Sequence, residues 1–297
     1  MLENIESLML AYVSDVDTHA RSLYEKIPKG KRLRAKLVLK IAPEASESVK
    51  LAAIVELIHA ASLLHDDVID EATTRRGIPS INATHDSKTA VMLGDILYSK
   101  AFCELTAFSP LISRKIADAV TQLSAGELLD VEYSKALQLD EEKYFDMIYK
   151  KTAVLIEATA ASAAALADKD SEAFGLYGKN LGLAFQIIDD VLDITSDSEK
   201  LGKPALADFK EGKTTLPYIY LYQALNDADR QKLMQLYRKE LNSDEARWIK
   251  QKMKESGAVM KSIALAQELG REALDAIASD KNQALEKVIT DMIEREF

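Results

Sequence analysis

The chain has 297 residues, 47% apolar and 29% charged, with a formal net charge of −10. That length and apolar share support a large buried core, and the acidic balance excludes a general nucleic-acid binder while leaving room for a local basic pocket. Cys103 is the only cysteine, which excludes an intrachain disulfide and fits a reducing, cytoplasmic setting.

With 11 Gly and 6 Pro in the whole chain, long helices are expected. Leu2 to Ile27 reads as one amphipathic helix, with Ile5, Leu8, Met9, Tyr12, Val13 and Val16 on one side. Its first residues, MLENIESLML, carry acids where a secretory leader has basic residues. Pro28 and Gly30 break it, and Lys31, Arg32 and Arg34 open a short helix that Pro43 ends. Ser46 and Ser48 are candidate caps for the next helix, which runs into ELIHAASLLHDDVIDEATTRRG, Glu56 to Gly77. Glu71 to Asp86 reads as a loop. Further helices are expected over Ser87–Phe108, with Gly94–Asp95 as a point of close packing or a kink, and over Pro110–Leu137, with Glu127 and Asp130 placed on a solvated face in preference to outer-shell contacts at the site. One helix is expected over Asp140–Ala167, with Lys151–Thr152 in its middle and an Ala-rich run, Ala160–Ala165, suited to tight helix approach. Ala153–Ala167 is interrupted by Glu157 and too short to span a bilayer, so any membrane contact would be peripheral. Ser171–Ile194 ends in FQIIDDVLD, and Ser196–Thr215 reads as a lid-like loop carrying Lys203, Asp208 and Lys213. The rest reads as helices broken at Asn226–Asp229, Asn242–Asp244 and Ser279–Asp280. No linker divides the chain, so a single domain over 1–297 is expected.

Two stretches carry the chemistry. In the first, Asp66 and Asp70 are four residues apart, so they share a helix face about 6 Å apart along the axis, with Asp67 at the rim. In the second, Asp189, Asp190 and Asp193 repeat that spacing. Carboxylates this close repel unless a cation neutralises them, and hard oxygen donors suit Mg²⁺, which leaves positions for water and phosphate oxygens. Arg75 and Arg76 follow with planar donors for phosphate. Either acidic stretch alone is as readily a solvated helix end; the second copy shifts the balance. Two such ends facing across a cavity would grip a diphosphate from both sides. His59 lies two turns before Asp66 on the same face, and Gln186 lies one turn before Asp189.

The chain resembles the trans-prenyltransferases, or isoprenyl diphosphate synthases. The matching pieces are GKRLR at Gly30–Arg34, LLHDDVID at Leu63–Asp70, TRRG at Thr74–Gly77, Lys151–Thr152, FQIIDDVLD at Phe185–Asp193 and GKP…DFKEGKTTLP at Gly202–Pro217, in the family's order. The resemblance implies an all-α fold, one large helical bundle of the isoprenoid synthase type with a central cavity, and a homodimer. It implies condensation of an allylic diphosphate with isopentenyl diphosphate by ionisation, condensation and elimination. It assigns Mg²⁺, three ions per active site with substrate bound, to Asp66, Asp67, Asp70, Asp189, Asp190 and Asp193. Lys31, Arg34, His59 and Arg76 would bind isopentenyl diphosphate, and Arg75, Lys151, Lys203 and Lys213 the allylic diphosphate. Lys151, Thr152 and Gln186 would be catalytic, Thr152 and Gln186 stabilising the allylic cation. The released diphosphate would accept the final proton.

In that family the residues four and five before the first motif gate the tail channel. Here they are Ala61 and Ser62, both small, which predicts a long-chain product suited to a quinone side chain. The alternatives are a short-chain (farnesyl or geranylgeranyl) synthase, a class I terpene cyclase and a non-catalytic partner subunit. A cyclase has no use for the second diphosphate site implied by Gly30–Arg34 and Arg75–Arg76, and its Ser/Thr and Glu positions are here Asp193 and Asp197. A non-catalytic subunit would be expected to lose motif aspartates, and all six are present. Ser62→Phe is expected to shorten the product, read by mass spectrometry; unchanged product length would refute the channel assignment.

Overall fold

Helix α4, Ser48–Ile69, is the centre of the N-terminal part of the chain. Most of its residues are buried on every side, from Leu51 through Leu64. A helix this apolar all round must lie in a core. It is long and apolar enough to cross a membrane, but 72% of its most apolar window is buried within the protein. The computed structural model describes residues 1–195 and 206–293; Lys203 and the first half of the expected lid lie outside them.

The described chain forms two compact units. The first comprises Met1–Val120 and Ala158–Gly175, the second Thr121–Glu157 and Leu176–Phe297. In the first unit α4 packs against α1 (Leu2–Ser14), α3 (Leu33–Ile41) and α6 (Ser87–Leu105). Two further short helices, α2 (Thr18–Tyr24) and α5 (Ile81–Thr84), complete the run up to α6. The expected helix over Leu2–Ile27 is two helices, because Asp17 turns its carboxylate onto the backbone N–H groups of His19 and Ala20 and starts α2 afresh. Ser46 and Ser48 do not cap α4: its N-cap is Glu47, and the Ser48 hydroxyl donates instead to the Ala42 carbonyl. The expected packing point at Gly94 is present. A Cβ there would run into the His65 ring of α4, 2.6 Å from Cδ2.

The stretch expected as a plain loop, Glu71–Asp86, contains an antiparallel hairpin. Strand β1 (Thr74–Arg75) pairs with β2 (Ile78–Pro79) in the register Thr74↔Pro79, Arg75↔Ile78. Its two central residues, Arg76 at φ 54° and Gly77 at φ 74°, both lie in the left-handed region, as a type I′ turn requires. That is the conformational reason for glycine after the two arginines.

Helix α7 (Pro110–Tyr133) begins in the first unit and continues in the second, as do α9 (Val154–Leu166) in reverse and α10 (Ser171–Thr195). In the second unit the single helix expected over Asp140–Ala167 is interrupted. After α8 (Glu141–Ile148), residues Tyr149–Ala153 form a π-helical turn before α9 resumes the α pitch. Lys151 and Thr152 sit in that turn. A π-turn inserts one residue into the helix and re-aims its side chains, and such turns recur at functional sites. Gly126 of α7 and Gly182 of α10 fit against it: a Cβ on Gly126 would lie 2.6 Å from the Lys150 carbonyl carbon, and one on Gly182 2.5 Å from the Ala153 Cα. Beyond the second acidic motif, Ala207–Glu211 is a short helix, α11, where a loop was expected. It is followed by α12 (Leu216–Ala224), α13 (Asp227–Leu236), α14 (Ser243–Ser256), α15 (Ala258–Ala276) and α16 (Gln283–Ile293). Asn226 and Asn242 cap α13 and α14 as expected, the latter in a capping box with Glu245.

Gly126→Ala is expected to destabilise the protein by about 1–3 kcal/mol, because the methyl group meets main chain that cannot move aside cheaply. A urea midpoint equal to wild type would show that the approach is not tight.

Candidate functional site

In the first unit the residues expected to bind phosphate gather around His59. Burial, and then the charges of Arg34, Arg76, Arg75 and Arg32, hold His59 well below the ordinary histidine pKa, so the ring is neutral at pH 7. Four guanidinium groups close enough to act on one imidazole are costly without an anion. Part of the balance is internal. Glu56, 2% exposed, accepts from the Ala35 backbone N–H at 2.9 Å and from Arg32 Nη1 at 3.3 Å. Arg32 also donates through Nε and Nη2 to Glu6, at 2.5 and 3.1 Å. Arg32, though inside the GKRLR motif, is therefore tied up by two carboxylates. Arg34 differs: its Nε is buried without a hydrogen-bond acceptor, and burial depresses its pKa against the opposing pull of Glu56. Arg76 donates to the Pro28 carbonyl at 3.2 Å and fills the space a side chain on Gly30 would need, Nη1 lying 2.8 Å from a Cβ built there. Gly30 and Arg76, from two separate motifs, thus fit one another. Lys31 is exposed beside them.

The first acidic motif divides by burial. Asp66 is half-buried and Asp70 exposed, whereas Asp67 is 4% exposed. Asp67 Oδ1 accepts from Arg75 Nε and Nη2, both at 2.7 Å. Its own backbone carbonyl accepts from Ala72 N–H and from Asn82 Nδ2. The sequence reading placed Asp67 among the metal ligands and Arg75 on phosphate. Here the two are paired, and together they fasten the hairpin to the end of α4. Ala61 is fully buried, and the Ser62 hydroxyl donates to the His59 carbonyl at 2.9 Å, so that neither offers bulk or a free polar group.

The second unit sorts its acids the same way. Asp189 is exposed; Asp190 and Asp193 are 4% and 1% exposed. Asp190 Oδ2 accepts from the Tyr144 hydroxyl at 2.7 Å and Oδ1 from Gln186 Nε2 at 2.9 Å. Burial, with Asp208 adding to it, pushes the Asp190 carboxyl well above its usual pKa, and the bonds from Tyr144 and Gln186 oppose the rise. Asp193 accepts from the backbone N–H of Asp208 at 3.2 Å, and its own carbonyl from Leu206 N–H at 2.9 Å. It anchors the chain as it returns after the motif. Asp67, Asp190 and Asp193 are thus buried against protein partners, and Asp66, Asp70 and Asp189 are the more accessible carboxylates of the six expected to hold metal. Among the described residues no three acids, histidines or cysteines form a self-contained metal site. Asp66 and Asp70 are nonetheless hard oxygen donors, one turn apart at a helix end, and suit a cation completed by water and phosphate oxygens.

Lys151, on the π-turn, reaches Asp130 Oδ2 at 2.5 Å and Glu127 Oε2 at 2.8 Å. Both acids were expected on a solvated face of α7; both are 7% exposed. Burial works against the Lys151 charge, but the two carboxylates outweigh it and hold the pKa above the ordinary lysine value. Lys151 is a permanent cation with a fixed position. The Thr152 hydroxyl donates to Gln186 Oε1 at 2.8 Å, joining the two residues expected to face a cation. Lys213 is paired with Glu211 at 2.9 Å, and its backbone N–H donates to the Asp208 carbonyl at 2.7 Å. Sequence reasoning missed Tyr144 and Glu56. The only signal for Glu56 was an acid within an apolar helix, and for Tyr144 there was none.

A family model described as polyprenyl synthetase matches residues 17–255. The chain is 33% identical to the short chain isoprenyl diphosphate synthase of Methanothermobacter thermautotrophicus, over 90% of this chain and 87% of that one. It superposes on the octaprenyl pyrophosphate synthase of Helicobacter pylori with a TM-score of 0.95 at 42% identity, covering 99% and 98% of the two chains. The polyprenyl synthase of Caulobacter crescentus, solved with calcium and isoprenyl diphosphate, gives 0.92 at 32% identity, covering 100% and 95%.

Gly30→Ala is expected to displace the Arg76 guanidinium and weaken binding of inorganic diphosphate by about tenfold, the cost of one mis-set charge-assisted contact. Calorimetry checks this; wild-type affinity would mean that Arg76 contributes nothing to an anion site.

Proposed function

Because the chain belongs to the polyprenyl synthetase family, we propose that it is a polyprenyl diphosphate synthase that adds isopentenyl diphosphate units to an allylic diphosphate and makes a long-chain product. The observation that carries this reading is Arg34, whose buried Nε has no acceptor, together with Arg76, packed against Gly30, both acting on a His59 ring that burial keeps neutral; cations so placed suit a polyanionic ligand. The likeness to an octaprenyl synthase along almost the whole chain supports a long product, as do the small Ala61 and Ser62. The family match runs through both units, which supports treating 1–297 as one isoprenoid synthase domain.

In this reading Lys31, Arg34, His59 and Arg76 hold the diphosphate of isopentenyl diphosphate. Neutral His59 donates one N–H without adding to the cation repulsion. Asp66, Asp70 and Asp189 would hold Mg²⁺, up to three ions with substrate, which supplies neutralisation of the departing allylic diphosphate. Lys151 and Lys213, with Lys203 from outside the described residues, donate to the same oxygens as charge builds on them, so their effect falls on the transition state. Lys151 is well suited because Asp130 and Glu127 keep it charged and fix its direction. Thr152 and Gln186 turn oxygen atoms toward the allylic carbon as positive charge appears. The double bond of isopentenyl diphosphate attacks, and the released diphosphate takes the proton lost on elimination. The lone cysteine supports a cytoplasmic setting, and the family resemblance a homodimer with at most peripheral membrane contact.

Purified chain given farnesyl diphosphate, isopentenyl diphosphate and Mg²⁺ is expected to yield long linear polyprenyl diphosphates, and none with either substrate or the metal left out. A hydrocarbon made from the allylic substrate alone would make it a cyclase. Inactivity of the folded chain by itself would make it a partner subunit.

A further inference from the structure

Tyr144 belongs to no motif in the sequence. It lies on α8, 2% exposed, with its hydroxyl on Asp190. Three hydrogen bonds then run without a break from Tyr144 to Asp190 Oδ2, from Gln186 Nε2 to Asp190 Oδ1, and from the Thr152 hydroxyl to Gln186 Oε1, at 2.7, 2.9 and 2.8 Å. A primary amide has a donor end and an acceptor end of nearly equal shape, so its neighbours decide which way it points. One oxygen of Asp190 takes the phenol hydrogen and the other accepts the NH₂ end of Gln186, and these two bonds favour the ionised carboxylate against the burial that opposes it. The amide oxygen is thereby turned to Thr152 on the π-turn, next to Lys151.

We propose that Tyr144 and Asp190 are a positioning pair that fixes the Gln186 amide with its oxygen toward the reacting carbon, and that Asp190 serves this amide rather than the metal. The inference rests on the reading that Gln186 stabilises an allylic cation. A reversed amide would offer N–H groups to a positive centre and raise the barrier, whereas a locked oxygen needs no reorganisation when charge appears. Neither residue touches substrate in this scheme; both act through Gln186. The phenol suits the task because burial, followed by the charge of Asp190, raises its pKa well above the ordinary tyrosine value, so it remains a donor.

The full-length chain is tested as Tyr144→Phe, Asp190→Asn, Gln186→Ala and the double variant Tyr144→Phe/Gln186→Ala. The readouts are kcat, KM for isopentenyl diphosphate, the Mg²⁺ activation midpoint and the thermal midpoint. Tyr144→Phe and Asp190→Asn should each lower kcat by about tenfold, while KM and the Mg²⁺ midpoint stay within about twofold. The double variant should be no slower than Gln186→Ala alone, because residues acting through one group are not additive. A shift of the Mg²⁺ midpoint in Asp190→Asn, or additive losses in the double variant, would overturn the proposal. Wild-type kcat in Tyr144→Phe beside an impaired Gln186→Ala would overturn it while leaving the functional reading intact. Wild-type kcat in Gln186→Ala would remove the premise along with it. Should Tyr144→Phe melt early, Asp190→Asn decides.

Discussion

A carboxylate withdrawn from water must be given a partner, and that requirement shapes both acidic motifs. Each has three aspartates, and in neither are the three equivalent. Asp67 goes to Arg75, Asp190 to Tyr144 and Gln186, and Asp193 to the backbone of Asp208. Asp66, Asp70 and Asp189 keep access to solvent. The buried acids hold neighbouring segments in place so that the accessible ones, one turn of helix away or less, stand on firm supports.

The cationic groups obey the complementary rule. Arg32 is neutralised by Glu6 and Glu56, and Lys151 by Glu127 and Asp130. These are not equivalent uses of charge. Arg32 is consumed in fastening the start of α3, whereas Lys151 is held at a defined point while its charge is preserved. For Arg34 and Arg76 burial works against the charge, for Arg76 joined by the fields of Arg75 and Arg32, and Glu56 is the acid that opposes it. An anion beside them would offset that cost.

Close backbone approach is the other device. Gly126 and Gly182 let α7 and α10 close on a π-turn, and Gly30 lets a guanidinium sit where a side chain would be. Glycine here supplies room, whereas at Gly77 it supplies a left-handed backbone angle for a type I′ turn. Both uses fix the position of a cation: Lys151 beside the π-turn, Arg76 at Gly30 and in the hairpin turn.

The sequence by itself determined the helical class, most helix boundaries and the two acidic motifs, because helical periodicity, capping residues and i, i+4 spacing are local properties written in neighbouring residues. It also pointed to Lys151–Thr152, Gln186 and the RRG turn through their motifs. What it did not determine was which aspartate faces water and which faces protein, since helical spacing sets Asp67 beside Asp66 and Asp70 but does not say that Arg75 folds back onto it. Nor did it locate Glu127, Asp130 and Tyr144, whose importance depends on groups 21 to 46 residues away. The π-turn was equally hidden, because the close approach of Gly126 and Gly182 to it involves residues distant in the chain. Those outcomes belong to the tertiary structure, where burial turns a charge into a demand for a particular partner.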